Sequence, residues 1–280
     1  MDDKRRYDVH ITGRRIRRTR IPKVTRQDMR LPLISNIVLL TALCCCGAGS
    51  AAFAHPPAVM ASTTLTSDYV LRGTSQSSGE PALQAGLSAI WPAGWTATVW
   101  GSTLDTSNLQ PDTGDGQGYE LDLMVGLERP LGTDWRGSLL LGHYQYVDTG
   151  HLLDYDHTEV SGSLEYRQWL ALSASWTPKA TDHTFEQTAL LRGSRWTAEV
   201  QVEQGVGDGV WVHAGLGYNA AGNVSEVQHL YGSVGVGLQW QRTVLSAAII
   251  GTDARARERF TDGRADARLV MSISQAWRLR

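Results

Sequence analysis

A two-residue alternation sets eleven ionisable residues on the polar side of their segments: Asp68, Arg72, Glu120, Asp122, Glu128, Glu159, Glu165, Arg167, Glu199, Glu203 and Arg268. Carboxylates interspersed with arginines can do one of two things inside a protein. They can line a water-filled path and bias it toward cations or polar solutes. Alternatively they can pair across neighbouring strands and fill a narrow interior with salt bridges. Other chemistry is thinner. His157 and Ser161 lie two steps apart on one face, with His143 nearby, as a lipid hydrolase embedded in a barrel would need, but Ser161 sits in no nucleophile-elbow motif and has no evident third group. His151, Asp154, Asp156 and His157 could ligate a divalent ion. Asp and His are equally ordinary turn residues, so no metal and no cofactor is expected.

The elements that carry these residues read as β-strands. In 118–129, Tyr119, Leu121, Leu123, Val125 and Leu127 alternate with Glu120, Asp122, Met124, Gly126 and Glu128. In 230–240, Val234, Val236, Leu238 and Trp240 oppose Ser233, Gly235, Gly237 and Gln239. The chain from 61 to 91 reads as an opening hairpin. Its first strand sets Asp68 and Arg72 against Leu65, Tyr69 and Leu71, and its second sets Gln84, Gly86 and Ser88 against Leu83, Ala85, Leu87, Ala89 and Trp91. Further strands are predicted at about 94–104, 134–147, 156–167, 169–177, 195–204, 210–219, 243–252 and 266–278, twelve in all. One face is apolar and the other polar, except in 244–250, which is apolar on both faces and so has no assigned facing. A soluble sandwich buries the apolar face against a second sheet, whereas a transmembrane barrel turns it to lipid.

The connections favour the barrel. Those at 92–94, 130–133, 168, 205–209 and 241–242 are short, while those at 73–79, 105–117, 148–155, 178–194, 220–228 and 253–265 are long and polar. Regular short–long alternation is what an outer-membrane barrel shows. Of the ten tryptophans, Trp91, Trp95, Trp135, Trp169, Trp211, Trp240 and Trp277 fall beside short turns or near the C-terminus, which predicts one interfacial girdle; Trp100, Trp176 and Trp196 do not. The 178–194 connection is long enough to form a hairpin or plug. In 253–265, mixed charge (Arg255, Arg257, Arg259 and Arg264 with Asp253, Glu258 and Asp262) suits a solvated loop facing lipopolysaccharide phosphates, and Phe260 is its one aromatic anchor.

Composition narrows the class further. Residues 29–54 have a basic start, an apolar run and an Ala-Phe-Ala end, the build of a cleaved signal peptide. Residues 1–28, with ten Lys or Arg, read as an over-long n-region upstream of Met29, the expected start. Cys44, Cys45 and Cys46 all fall in the segment expected to be removed, which excludes a disulfide scaffold or a thiolate metal site in residues 55–280. Past residue 54 there are fifteen basic and twenty-four acidic residues, a net charge near −9, which argues against nucleic-acid binding.

The run 66–84, with Ser67, Asp68, Tyr69, Arg72, Gly73, Ser75, Gln76, Pro81, Ala82 and Gln84, resembles the opening of the TorF family of porins, a proteobacterial outer-membrane group also catalogued as Gcw_chp. Further matches are Val99 to Ser102, Glu120 to Asp122 and Thr158 to Val160 with the Ser-Gly-Ser-Leu-Glu-Tyr after it. The resemblance implies a twelve-strand outer-membrane barrel with a diffusion role. One departure is the ending Ala-Trp-Arg-Leu-Arg, where many such barrels finish on an aromatic residue that assists assembly.

The combined expectation is an all-β, transmembrane, antiparallel up-and-down barrel over 55–280, after an N-terminal extension (1–28) and a signal peptide (29–54). Its expected role is porin-like, non-enzymatic diffusion of small polar solutes or ions across the bacterial outer membrane, with the lipid, lipopolysaccharide and the barrel-assembly machinery as partners. A plugged structural or binding barrel is the alternative, and an embedded lipid hydrolase a more distant one.

Overall fold

In a computed structural model, residues 55–105, 116–147, 156–182, 191–221 and 228–279 are described, all within one compact unit, Ser35–Arg280. The described residues form a closed barrel of twelve antiparallel strands plus a small separate hairpin. The barrel strands are β1 (Ala58–Thr66), β4 (Ala82–Ile90), β5 (Trp95–Asp105), β6 (Gln117–Leu131), β7 (Trp135–Val147), β8 (His157–Tyr166), β9 (Leu170–Asp182), β10 (Leu191–Gly207), β11 (Val210–Ala221), β12 (His229–Trp240), β13 (Thr243–Thr252) and β14 (Arg268–Arg278). The hairpin is β2 (Val70–Leu71) with β3 (Thr74–Ser75). Sequence neighbours pair all the way round, and β1 closes the ring on β14, from Met60 opposite Arg278 to Thr66 opposite Ser272. Closure leaves no edge, so every wall strand has its ladder on both sides.

The barrel is inverted relative to a soluble protein. Leu83, Leu87, Val99, Leu121, Leu123, Val125, Leu216, Val234, Leu269 and Met271 are all exposed, and Asp122, Glu120 and Glu159 are buried. An apolar outer band with ionisable groups inside is stable in a bilayer, where water is the phase that must be kept from the outer face. This is a transmembrane β-barrel. No described helix is long and apolar enough to cross a membrane; the strands do so.

Three corrections concern the elements. The first wall strand is Ala58–Thr66, not a strand running through Arg72, and it pairs residue for residue with β4, from Ala58 opposite Ile90 to Thr66 opposite Ala82. At Ser67 the chain leaves the wall. The Ser67 N–H donates to the Met271 carbonyl (2.8 Å), the Met271 N–H donates to Ser67 Oγ (3.0 Å), and residues 67–81 turn into the lumen. The alternation persisted across the junction because the insert is itself a hairpin. Second, β9 reaches Asp182 and β10 begins at Leu191, so much of the 178–194 connection is wall; 183–190 lie outside the described residues. Ladder hydrogen bonds do not need apolar side chains, so polar residues extended these strands unseen. Third, 253–265 contains a short helix, α1 (Ala254–Arg259), N-capped by Asp253, which accepts from the Ala256 N–H at 3.1 Å.

The aromatic belt also differs. Trp135, Trp169 and Trp240 are exposed near the short turns as expected, but a second outward set, Tyr119, Trp176, Trp196 and Tyr218, sits toward the long loops, with Trp176 and Trp196 stacked at 5.7 Å. Two belts mark two interfaces. Trp211 belongs to neither, for it points inward, buried, over Gly237 of the adjacent strand, where a Cβ would lie 2.1 Å from its ring. Proximity to a turn does not fix which face a residue takes, whereas parity does.

Candidate lumen site

The insert fills the lumen toward the long-loop rim. Its tip is a two-residue turn in which Arg72 (φ 51°) and Gly73 (φ 83°) both adopt the left-handed region, the pairing that tight hairpins use. A Cβ on Gly73 would lie 2.6 Å from both Thr252 Cγ2 and Tyr231 Cβ, so the tip is pressed against β12 and β13. Behind the tip, Tyr69, Ala82 and Leu104 form a buried apolar cluster inside the barrel, joined by Leu71, Trp100 and Tyr146. Tyr69 meets Trp100 edge-on at 5.8 Å. Tyr69 and Leu71, read from the sequence as outward, are therefore inside.

Two arginine–carboxylate pairs fasten the insert. Arg72 Nη2 donates to Glu159 Oε2 on β8 at 2.6 Å and to Ser175 Oγ on β9 at 3.1 Å, while the Thr177 hydroxyl donates to the same Glu159 oxygen at 3.0 Å. Arg268, at the start of β14, donates to Asp68 Oδ2 at 2.7 Å, and the Ser75 hydroxyl donates to Asp68 Oδ1 at 2.6 Å. The 253–267 connection backs the insert: the Ser75 N–H donates to the Arg264 carbonyl at 2.8 Å, and His229 Nε2 lies 3.1 Å from the Arg72 carbonyl. Phe260 is partly buried and packs edge-on against His229, under the guanidinium groups of Arg259 and Arg264.

Of the inward carboxylates, Glu120 and Asp122 on β6 and Glu159 on β8 are at most 3 % exposed. Glu120 Oε1 accepts from the Tyr146 hydroxyl at 3.0 Å. Glu199 on β10 accepts from Tyr231 (3.1 Å) and Gln201 (2.7 Å). Glu120, Glu159 and Glu199, with Arg72, Tyr144 and His157, border a cavity of about 110 Å³ between the insert and the wall; Asp122 is buried beside it and does not line it. Tyr231 reaches this level because Gly217 faces it across the strands and leaves room for its ring. Sequence reasoning missed these tyrosines. For Tyr231 the signal, an aromatic residue opposite a glycine, becomes readable only when register is known.

Toward the short-turn rim the lumen changes character. Inner-face hydroxyls pair across strands: Ser88 with Thr98 (2.9 Å), Ser138 with Ser163 (2.9 Å) and Ser246 with Ser272 (2.7 Å). Below them Glu128 pairs with Arg136 at 2.8 Å, with side chains about half exposed, Glu165 faces Arg136 across the β7–β8 ladder, and Glu203 faces His213 across β10–β11. Arg167 is a correction. It lies in the turn between β8 and β9 with φ 46° and donates to Asp134 of the neighbouring turn at 2.9 Å, outside the strand span. That contact holds the Asp134 carboxyl below the usual carboxylate range.

Of the hydrolase candidates, His157 and Ser161 both border the cavity, and His143 does not join them. His143 faces outward and lies 3.1 Å from Thr158 Oγ1, while His157 faces inward and stacks on Tyr144 at 4.7 Å, so the wall separates the two histidines. Asp156 accepts from the Tyr146 N–H at 2.8 Å, and His151 and Asp154 lie outside the described residues.

Residues 50–277 match a bacterial family described as protein of unknown function, Gcw_chp. The chain belongs to the Gcw_chp family. No curated protein matches this Gcw_chp chain. Among solved structures it is similar to the NanC porin (10 % identity, 79 % of this chain and 100 % of that one, TM-score 0.49). It is also similar to the KdgM porin (5 % identity, 79 % and 99 %, TM-score 0.46) and to an outer membrane channel from Pseudomonas putida (11 % identity, 80 % and 96 %, TM-score 0.44).

Proposed function

We propose that this protein is a porin-like channel of the bacterial outer membrane that passes small polar solutes or ions, with a bias toward cations. The observation that carries the reading is the lumen itself. Its short-turn half is lined by paired hydroxyls and water-exposed charge, and its long-loop half is narrowed by an insert over buried carboxylates. Net negative charge along a low-dielectric passage favours cations over anions. Even strand number with short turns at one rim and long connections at the other supports the outer membrane, with the long loops outside the cell and lipopolysaccharide as their neighbour. The signal-peptide character of 29–54 fits export, and assembly would then require the barrel-insertion machinery.

The Arg72–Glu159 contact also favours a second reading, a barrel whose insert keeps it closed. Single-channel current in a planar bilayer under a salt gradient separates the two. Discrete steps with a cation-biased reversal potential are expected of the channel. Folded protein that inserts and gives no steps would establish the plugged barrel.

A further inference from the structure

The 67–81 insert and the 253–267 connection are fastened to each other at base and tip. At the base, the Arg268 guanidinium donates to Asp68 Oδ2 of the insert at 2.7 Å, to the Gly263 carbonyl of the connection, and to the Asp266 carbonyl at 3.1 Å. The Ser75 N–H adds its bond to the Arg264 carbonyl at 2.8 Å. At the tip, Gly73 presses on Thr252, whose hydroxyl donates to the Ala265 carbonyl at 2.7 Å and whose own carbonyl accepts from Arg257 Nη1 at 2.8 Å. The Arg72 carbonyl meets His229, and Phe260 of the connection packs on the other side of that ring system.

Both segments stand outside the barrel ladder. The hairpin β2–β3 is a sheet of its own and α1 is a helix. The insert is tied to the wall by the Arg72–Glu159 pair, by the apolar cluster around Tyr69, and by the Asp105 N–H, which donates to the Gln76 carbonyl at 3.2 Å. The connection is tied to it by Asp253, whose N–H donates to the Leu230 carbonyl (2.9 Å) and whose Oδ2 accepts from the Leu230 N–H (3.1 Å). Every wall strand, by contrast, has a full ladder on both sides. Segments without such a ladder occupy the low end of local stability and open in contiguous units set by what binds them together. Arg72 (φ 51°) and Ser78 (φ 53°) hold left-handed backbone without being glycine, a local cost that undocking relieves. On the far side of this unit, α1 exposes Ala254, Arg255, Arg257 and Glu258.

We propose that the insert and the 253–267 connection open and close as one unit while the wall stays folded, so that the exposed face of α1 controls the constriction the insert makes. The coupling deepens the channel reading and rests on it only for its consequence, regulation of passage from the long-loop side. Coupling of this kind is reciprocal. Loosening α1 frees the insert, and freeing the tip of the insert loosens α1.

Hydrogen exchange read by mass spectrometry, on the full chain folded in detergent, tests the coupling. Peptides over 67–81 and 253–267 should exchange together and ahead of wall peptides over 119–127 and 233–239. Asp253→Ala removes the cap of α1, and the hydrogen bonds of Asp253 run to Leu230, Thr252, Ala256 and Arg257, all outside the insert. The variant should nevertheless speed exchange over 67–81 by about fivefold, as the loss of one cap does within its own helix, with both wall peptides unchanged. Reciprocally, Glu159→Gln weakens the hold on Arg72 and should speed exchange over 253–267, which Glu159 does not border. Arg268→Gln cuts the base link, and in its background Asp253→Ala should act on 67–81 more weakly. Arg257→Ala, which removes the donor to the Thr252 carbonyl, takes the place of Asp253→Ala if that variant loses the heat-modifiable gel mobility of the folded barrel. Faster exchange over 253–267 alone after a change in α1, with 67–81 unmoved, would overturn the proposal. Because exchange is read without membrane current, a protein that conducts while the two segments open independently sinks this inference alone, whereas one whose segments open together and which does not conduct sinks the channel reading alone.

Discussion

The two halves of the lumen are built from the same inward parity and end in opposite states. On the long-loop side, Asp68, Glu120, Asp122 and Glu159 are at most 4 % exposed, and two of them are held by arginines, one on the insert and one at the start of β14. On the short-turn side, Glu128 and Arg136 are 43 % and 52 % exposed, and the wall between the two levels carries serine and threonine. The wall does not make this difference. Fifteen residues that leave it at Ser67 do so, by displacing water from one half and leaving it in the other. A charge in the filled half depends on its partner, and one in the open half depends on solvent.

The largest expected effect is at Arg72. Arg72→Ala would leave Glu159 buried and unpaired, a loss of roughly 3–5 kcal/mol borne chiefly by insert docking. Single-channel conductance should rise several-fold while the barrel keeps its gel mobility. Unchanged conductance would mean that the insert does not narrow the path, and the contrast between the halves would fail. Gly73→Val comes next. Its side chain cannot take φ 83° comfortably and would meet Thr252 and Tyr231, so protease should cut the 67–81 insert faster at equal barrel stability. In the open half, Ser163→Arg places a solvated charge among hydroxyls, and the expected result is a reversal potential shifted toward anions with little change in melting temperature. Arg136→Ala should cost no more than about 1 kcal/mol by urea unfolding, since its partner Glu128 keeps its water. The smallest effect concerns the Arg167–Asp134 contact. The folded-state carboxyl is held below its ordinary range, so whatever the contact contributes is present above the unfolded carboxylate range and is lost as pH falls through the lowered folded one. Asp134→Asn should accordingly narrow the stability gap between neutral and acid pH, and an unaltered gap would show the turn contact to be inert.

Much of the wall was legible from alternation. Leu121, Leu123 and Val125 face outward and Glu120 and Asp122 inward because a strand has only two faces and a bilayer tolerates only one of them as apolar. The insert was legible as residues but not as a place. Asp68 and Arg72, read as inward residues of a wall strand, lie in the insert, and their pairing with Arg268 and Glu159 joins positions 200 and 87 residues apart, a range at which no local pattern encodes a contact. Trp211 was placed at an interface by its closeness to a turn, where parity decides; Arg167 was placed in the lumen by carrying parity past Tyr166, where the left-handed turn decides.

By itself, then, the sequence determined that the chain makes a transmembrane barrel and how many strands build it, because strand periodicity and the solvation of charge are local rules. Only the tertiary structure decided that the first long connection folds inward, that it buries three carboxylates and leaves two oxygens of Asp122 without a partner, and that the other half of the lumen stays open. Those outcomes depend on register and closure, which set which strands become neighbours and so which distant charges can meet.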